Sequence, residues 1–233
     1  LNYIREKLQF SMELNELQLQ RRASLEELRK LGVDPYPAEL FEVNANAADI
    51  MKHYPDDKLS YKNITIAGRL MRRRIMGKAS FAEIQDHTGR IQIYVSRDDI
   101  CPTEDKTMYN DVFKKHLDIG DIIGLKGYVF TTQVGETTLH VTELKVLCKS
   151  LNPLPMPKEV DGKVFDAFTD PELRYRMRYV DLIVNPQVKD TFIKRTKAIQ
   201  SMRNYLNNSG YLEVETPILQ AIPGGAAARP FIT

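Results

Sequence analysis

The sequence predicts an α+β chain with an N-terminal helix, a five-stranded closed β-barrel and the beginning of a second α/β domain. Three observations lead to this fold class. Leucines recur at helical spacing before Gly32, apolar and polar residues alternate over residues 62–148, and helical spacing returns after a proline-rich stretch at 151–157. Because side chains repeat every 3.6 residues in a helix and every two in a strand, each change of period marks a change of structure.

The first 31 residues are predicted to be helical, and Gly32 is the expected end of the helix because glycine readily adopts the left-handed conformation found there. Ser24 and Glu27 have the spacing of a capping box, which suggests a second helix start inside this segment. The helical spacing is carried by Leu17, Leu25, Leu28 and Leu31.

Residues 62–150 are predicted to form the barrel. The inward positions of its five strands are Ile64/Ile66, Ala82/Ile84, Ile91/Ile93/Val95, Ile123/Leu125 and Leu139/Val141. The segment Met108–His116 fits a short helix between the third and fourth strands. Three strands, a helix and two strands within so short a length are typical of an OB-type barrel. An SH3-like barrel is the alternative, and the helix before the fourth strand favours the OB type.

One face of the barrel has the chemistry of a single-stranded nucleic-acid site. Strand alternation directs to the outside Arg69, Arg73, Phe81, Glu83, Gln85, Arg90, Gln92 and Tyr94. An exposed aromatic ring stacks on a nucleobase, arginine neutralises phosphate, and the Gln92 amide offers a donor and an acceptor to a base edge. The alternative is that Phe81 packs beneath the N-terminal segment and that the arginines, including the run at 72–74, are simply solvated.

The second domain is expected to begin with helices that start at prolines, after Asp170 and after Asn185. The second of these helices carries an apolar stripe at Val188, Phe192, Ile199, Met202 and Leu206. Gly210 ends it, and a short strand is predicted before Pro217, with Leu212 and Val214 facing the core. Because a helix and a single strand cannot bury their own apolar faces, the chain is expected to stop in the middle of a domain.

The predicted domain boundaries are 1–61 for an N-terminal helical extension, 62–150 for the barrel, 151–180 for a linker and the segment leading into the next domain, and 181–233 for the first part of that domain. The net charge of +2 excludes a strong global field. The sequence contains neither an apolar run long enough for a transmembrane helix nor a signal-peptide core, so a cytoplasmic location without membrane contact is expected. No P-loop motif is present, and no two histidines have metal-ligand spacing.

Four segments in order resemble the class II lysyl-tRNA synthetases in their bacterial form, over nearly the whole chain from residue 14. Residues 73–81 resemble the first barrel hairpin of that family, and residues 170–182 resemble its entrance to the catalytic domain. Residues 210–219 are similar to class II motif 1, and residues 222–231 are similar to the loop that follows it in lysine-specific members.

The resemblance implies an OB-fold domain that binds the anticodon of tRNA(Lys), and an antiparallel-sheet domain that activates lysine with ATP and Mg²⁺ and transfers it to the tRNA. By position, Phe81 would stack on the central anticodon uridine, and Gln92 would recognise the same base. Arg74 and Glu136 would make further anticodon contacts. Arg73, which strand alternation places on the outer face, is expected to contribute to the same site. In the second domain, Gly225 would lie near the amino-acid substrate, and Gly210 and Pro217 would belong to the motif 1 homodimer interface.

The motif 2 and motif 3 residues of the family, which hold ATP, Mg²⁺ and the lysine ammonium, would follow Thr233. The 233 residues alone are therefore expected to bind RNA, to contain no catalytic residue or metal ligand, and to be inactive as a ligase. Two other functions fit parts of the pattern: an aspartate or asparagine synthetase of the same subclass, and a truncated OB-type RNA-binding factor. A stand-alone lysyl transferase for an elongation factor would lack the barrel at 64–147.

Overall fold

The computed structural model describes residues 14–155, 158–160, 163–165 and 168–217. The chain forms two compact units, one ending at Leu154 and the other beginning at Pro155. The domain boundaries proposed above remain predictions. The elements of the first unit are, in chain order, α1 (Glu16–Lys30), α2 (Ala47–His53), β1 (Ile64–Met76), β2 (Ala79–Gln85), β3 (Arg90–Ser96), α3 (Arg97–Ile100), α4 (Met108–His116), β4 (Ile122–Thr131) and β5 (Thr137–Cys148).

The five strands close into a barrel in the order β1-β2-β3-β5-β4, and β4 pairs with β1 to complete the ring. All pairs are antiparallel except β3 with β5, which is parallel. The predicted strands and the OB-type barrel are confirmed. The burial of β2 and β3 alternates strictly, as predicted, because one face of each strand lines a closed core. Ile84, Ile93 and Leu125 are fully buried there.

Helix α1 begins later than predicted. The Asn15 side chain accepts from the Gln18 backbone N–H and the Gln18 side chain accepts from the Asn15 N–H, so a reciprocal capping box starts the helix at Glu16. The predicted helix over residues 1–31 is therefore wrong at Leu14 and Asn15, and residues 1–13 lie outside the described part. Ser24 lies within one continuous helix, so the second start is also wrong. Gly32 ends the helix with a φ of 76°, as predicted.

Only part of the leucine series of α1 faces the core. Leu25 and Leu28 are buried, whereas Leu17 and Leu31 are exposed. On the same helix, Arg21 is buried and donates hydrogen bonds to the carbonyl oxygens of Ile119, Ser150 and Asn152. The helix is thus held to the barrel by a charged side chain as well as by apolar contacts.

The predicted helix between the third and fourth strands is confirmed as α4, which is a π-helix over its nine residues. Its buried side chains Tyr109, Val112 and Phe113 join the barrel core, and the Tyr109 hydroxyl lies 2.8 Å from the Ser80 Oγ. A π-helix is rarely longer than a turn because its hydrogen bonds are less favourable, and here the burial of two aromatic rings accompanies it.

Helix α2 was not predicted, and the β2–β3 turn fixes its start. The Ala47 N–H donates to Asp86 Oδ2 at 2.7 Å, and the Ala48 N–H donates to Thr88 Oγ1 at 3.0 Å. These bonds satisfy N–H groups that have no partner within a helix, while Ile50 enters the barrel core. Burial raises the pKa of Asp86, but hydrogen bonds from Ala47, Thr88 and Gly89 outweigh burial and hold this pKa below its ordinary value of 3.8.

We expect the Asp86→Asn substitution to lower the free energy of unfolding at pH 7 by about 1–2 kcal/mol, because an amide cannot accept all of these bonds. Since the folded-state pKa of Asp86 is lowered, its contribution is present above the ordinary pKa and is lost as the pH falls through the folded value. Urea unfolding is measured at pH 7 and at about pH 3. The difference in the free energy of unfolding between Asp86→Asn and wild type should be smaller at the acidic pH. The exposed Asp56→Asn serves as control, and equal stability of Asp86→Asn and wild type at pH 7 would contradict the role of Asp86.

A buried ion cluster joins α4, β4 and the chain after β5. The Lys149 ammonium is fully buried and lies 2.8 Å from Asp121 Oδ2 and 2.5 Å from Asp118 Oδ2. The Ser150 N–H donates to Asp121 Oδ1, and the Tyr36 hydroxyl donates to the Lys149 carbonyl oxygen. Burial raises the pKa of Asp121, against the attraction of Lys149, which lowers it.

The second unit contains β6 (Lys158–Val160), β7 (Lys163–Phe165), α5 (Pro171–Arg176), α6 (Arg178–Val184) and α7 (Pro186–Asn208). The proline starts of α5 and α7 are confirmed, and Asp170 caps α5 by accepting from the Leu173 N–H. Asp181 is buried between Arg174 and Arg178. Gly210 follows α7 with a φ of 85°, as expected of a helix end.

The strand predicted after Gly210 is not formed over the described residues 211–217. Leu212 and Val214 are exposed, so their predicted core positions are wrong. A strand needs a paired neighbour, and none is present for this segment within the described part of the chain. Of the apolar stripe on α7, Val188 is buried, whereas Phe192, Met202 and Leu206 are exposed.

Candidate nucleic-acid interface

A continuous row of rings crosses the outer face of the barrel. The strand register places in one line Arg74 of β1, Phe81 of β2, Tyr94 of β3, His140 of β5 and Tyr128 of β4. Ring centroids are separated by 5.2 Å between Phe81 and Tyr94, 5.1 Å between Tyr94 and His140, and 4.7 Å between His140 and Tyr128. We call the four residues with rings, Phe81, Tyr94, His140 and Tyr128, the aromatic row.

A second row, which we call the polar row, runs beside the aromatic row on the same face, two residues away along each strand. Its members in register are Arg72, Glu83, Gln92, Thr138 and, on β4, the ring of Phe130. The Gln92 amide nitrogen donates to Thr138 Oγ1 at 3.1 Å, which orients the amide. Arg90 pairs with Glu83 at 2.9 Å and so partly neutralises the carboxylate of this row.

Arg73 does not lie on the outer face, and this prediction is wrong. A β-bulge between Leu70 and Arg72 inserts one residue, so that Met71 is also buried and the alternation of β1 reverses. Arg73 therefore pairs with the inward Ala82. Its guanidinium donates to the Phe113 carbonyl oxygen and lies 5.7 Å from the centre of the Phe113 ring, and burial lowers its pKa.

The bulge instead directs the neighbouring arginines outward. Arg72 and Arg74 are both exposed, and they pair in register with Glu83 and Phe81. Two guanidinium groups thus stand at one edge of the aromatic and polar rows. Arg69, at the other side of the bulge, donates to the Gly120 carbonyl oxygen at 2.7 Å.

Glu136 lies in the turn between β4 and β5. The turn is closed by a hydrogen bond from the Thr132 N–H to the Glu136 carbonyl oxygen, and Gly135 provides the left-handed position with a φ of 87°. Thr138 Oγ1 donates to the same carbonyl while it accepts from Gln92. Gln92 and the Glu136 turn are therefore linked through one hydroxyl, with the Glu136 side chain exposed.

The structure brings Phe81, Gln92 and Arg74 together on one face, with Glu136 at the adjoining turn. Gly225 lies outside the described residues, and the interface roles of Gly210 and Pro217 stay predictions. The residues that the sequence reasoning missed are Tyr128, Phe130 and His140. Continuing the strand alternation past the inward pairs of β4 and β5 would have placed all three on the outer face, beside Tyr94.

In the part of the chain that the structure describes, we find no helix with the length and apolarity needed to cross a membrane. Nor do the described residues gather three or more histidine, cysteine, aspartate or glutamate side chains in a position to hold a metal ion.

Two family models match the chain. Residues 64–147 match the OB-fold nucleic acid binding domain, and residues 170–233 match the class II tRNA synthetases (D, K and N). The first range coincides with the barrel that carries the aromatic row, and the second covers α5, α6 and α7.

Similar proteins have lysine-tRNA ligase as their name. The relative from Porphyromonas gingivalis is 60% identical over 95% of this chain and 39% of its own length. Those from Azobacteroides pseudotrichonymphae and Christiangramia forsetii are 54% and 55% identical over 94% and 97% of this chain. The chain spans about two fifths of the length of these curated relatives. The identities and the two family matches, in that order along the chain, identify this protein as a homologue of the lysine-tRNA ligases, with an OB-fold nucleic acid binding domain followed by class II tRNA synthetase sequence.

Proposed function

We propose that the barrel binds the anticodon loop of tRNA(Lys), and that the ligase of which these residues form a part attaches lysine to that tRNA. The observation that carries the proposal is the convergence on the outer face of the barrel of the half-buried Phe81 and Gln92 with the exposed Arg74. Phe81 and Gln92 are diagonal neighbours on paired strands, about 7–8 Å apart, so one base can stack on the ring while the amide meets its edge. The relatives named for lysine favour this substrate over aspartate or asparagine.

Each side chain has a distinct task in this proposal. The Phe81 ring provides the stacking surface, supported at its edge by Tyr94. The Gln92 amide is held by Thr138 and offers hydrogen bonds to a Watson–Crick edge, as in the recognition of unpaired RNA bases. Arg72 and Arg74 approach the phosphates, and Glu136 accepts from a neighbouring base at the turn. Sequence reading thus rests on few groups, while charge and stacking supply most of the affinity.

The chemical step is proposed for the longer protein. There, ATP and Mg²⁺ would activate lysine, with Gly225 beside the amino acid and with Gly210 and Pro217 in a homodimer interface. A bound metal ion would supply stabilisation of the negative charge on the phosphate groups of ATP. Among the described residues, no cluster suited to hold a metal ion is found. A protein with this role would work in the cytoplasm, where its tRNA is found.

We expect Phe81→Ala to weaken binding of a tRNA(Lys) anticodon stem-loop by about 1–3 kcal/mol, because one stacking surface is lost. Fluorescence anisotropy at fixed salt measures the affinity, and thermal unfolding checks that the barrel remains folded. The exposed Leu59→Ala is the control and should bind like wild type. Unchanged affinity of a folded Phe81→Ala protein would refute the proposed site.

A further inference from the structure

We infer that the stacked pair Tyr128 and His140 forms a second base platform, which binds an unpaired nucleobase other than the one on Phe81. The inference rests on the proposed function, because it places a further nucleotide of the same RNA loop on the same face. It concerns a position of the aromatic row that lies on β4, at the opposite end from Phe81 on β2.

The two rings are held in a fixed arrangement. Their centroids are 4.7 Å apart and their planes differ by 15°, so they are stacked face to face. His140 Nε2 lies 2.8 Å from Asp99 Oδ2, and His140 Nδ1 lies 3.1 Å from the Tyr128 hydroxyl. Because the carboxylate can only accept, Nε2 donates to Asp99, and Nδ1 shares a hydrogen bond with the Tyr128 hydroxyl. Both ring nitrogens of His140 are therefore occupied in orienting the pair.

Tyr128 presents the outward surface of this stack. It lies between the buried residues Gly127 and Val129, with a residue exposure of 40%, whereas the His140 side chain is only 18% exposed. One face of the tyrosine ring covers the histidine, and the exposure of the residue leaves part of its surface available to a ligand. A ring that is already positioned loses little conformational freedom on binding, which favours a flat partner such as a base.

The position of the pair requires a second nucleotide. Along the wall of the barrel, Phe81 and Tyr128 are three strand spacings apart, across β2, β3, β5 and β4, which is a path of about 14 Å at roughly 4.8 Å per spacing. One base cannot stack on both rings over that distance. The rings of Tyr94 and Phe130 both contact the His140 ring in T-shaped arrangements, with centroids 5.1 and 5.8 Å from the His140 centroid. The aromatic surface is therefore continuous from β2 to β4.

This platform differs in chemistry from the Phe81 site. In the described contacts, the polar atoms of Tyr128 and His140 are used within the protein, so the pair offers a ring face and no amide for reading a base edge. Stacking tolerates any base. The platform should therefore contribute affinity at one loop position without selecting the base there.

The test combines protein variants with abasic RNA. The dissociation constants of wild type, Tyr128→Ala, Tyr128→Phe and Phe81→Ala are measured for the anticodon stem-loop and for a set in which each unpaired nucleotide is in turn made abasic. Tyr128→Ala is expected to weaken binding about 5- to 150-fold, and Tyr128→Phe, which keeps the ring, less than about 3-fold. One abasic position should lower wild-type affinity and have no further effect in Tyr128→Ala.

The outcomes separate this inference from the proposed function. If that abasic position differs from the one coupled to Phe81, and if substituting one base for another there changes little, the second platform is supported. If Phe81→Ala weakens binding but Tyr128→Ala does not, or if both couple to the same nucleotide, the platform is refuted and the proposed function stands. If neither variant alters binding, the proposed function itself fails.

Discussion

Gly127→Ala is expected to prevent the barrel from closing in its native register. A Cβ atom built on Gly127 would lie 1.8 Å from the carbonyl oxygen of His140, on the neighbouring strand β5. Atoms of this kind do not approach within about 3 Å, and a backbone carbonyl in a paired strand cannot rotate away. The close approach occurs at a bulge, where the β4–β5 register shifts between Lys126 and Gly127.

The expected loss of unfolding free energy exceeds about 4 kcal/mol, which places this change among the rare severe substitutions. Chemical unfolding followed by circular dichroism measures it, and accumulation in the insoluble fraction on expression is the equivalent result if the variant does not fold. Gly89→Ala is the matched control, since a Cβ at Gly89 meets no atom within 4 Å and its φ is ordinary. A folded Gly127→Ala protein within about 1 kcal/mol of wild type would show that the two strands can separate without cost.

The presence or absence of a bulge also explains where prediction from the sequence succeeds and where it fails. Alternation identified all five strands and the faces of β2 and β3, because those strands run without irregularity. It failed at Arg73, because a single inserted residue at Met71 exchanges the two faces of β1 and leaves no mark in the pattern of residue types. Pairing register is a property of two strands, and one strand alone cannot specify it.

The predictions for short and isolated segments failed for a different reason. Helix α2 has seven residues, too few for a periodic signal, and it depends on N–H acceptors that belong to the distant turn at Asp86 and Thr88. The segment 211–217 has the alternation of a strand, but pairing with a neighbour is needed to make it one. The outward positions of Phe81 and Gln92 were predicted correctly because both residues lie on regular strands.

The burial of Lys149 could not be predicted from the periodicity of residue types, because a lysine after a strand is ordinarily exposed. Here its ammonium has no exposed area and compensates the buried Asp121 and the partly buried Asp118. Such a group is costly to desolvate, but removing it leaves the carboxylates without a positively charged partner. The ion cluster therefore marks the place where the segment between α4 and β4 and the segment after β5 must come together before the charge of Lys149 is compensated.

We expect Lys149→Met to lower the free energy of unfolding at pH 7 by about 3–5 kcal/mol, because methionine fills similar space and removes only the charge. Lys145→Met, at an exposed position of β5, is the matched control: the ion pair of Lys145 with Glu39 is largely exposed, and its loss should cost less than about 1 kcal/mol. Urea unfolding of both variants against wild type measures the difference.

A pH series gives the second, independent arm of this test. Burial already raises the pKa of Asp121, and removal of Lys149 takes away the main group that opposes this rise. A raised folded-state pKa means that the stability is present below the ordinary value and is lost as the pH rises through the folded one. The deficit of Lys149→Met should therefore shrink in acid, and Asp121→Asn added to it should recover part of the loss at pH 7. A deficit that is independent of pH and unaffected by Asp121→Asn would mean that Lys149 stabilises the barrel by filling space, since a packing defect does not depend on the charge of its neighbour.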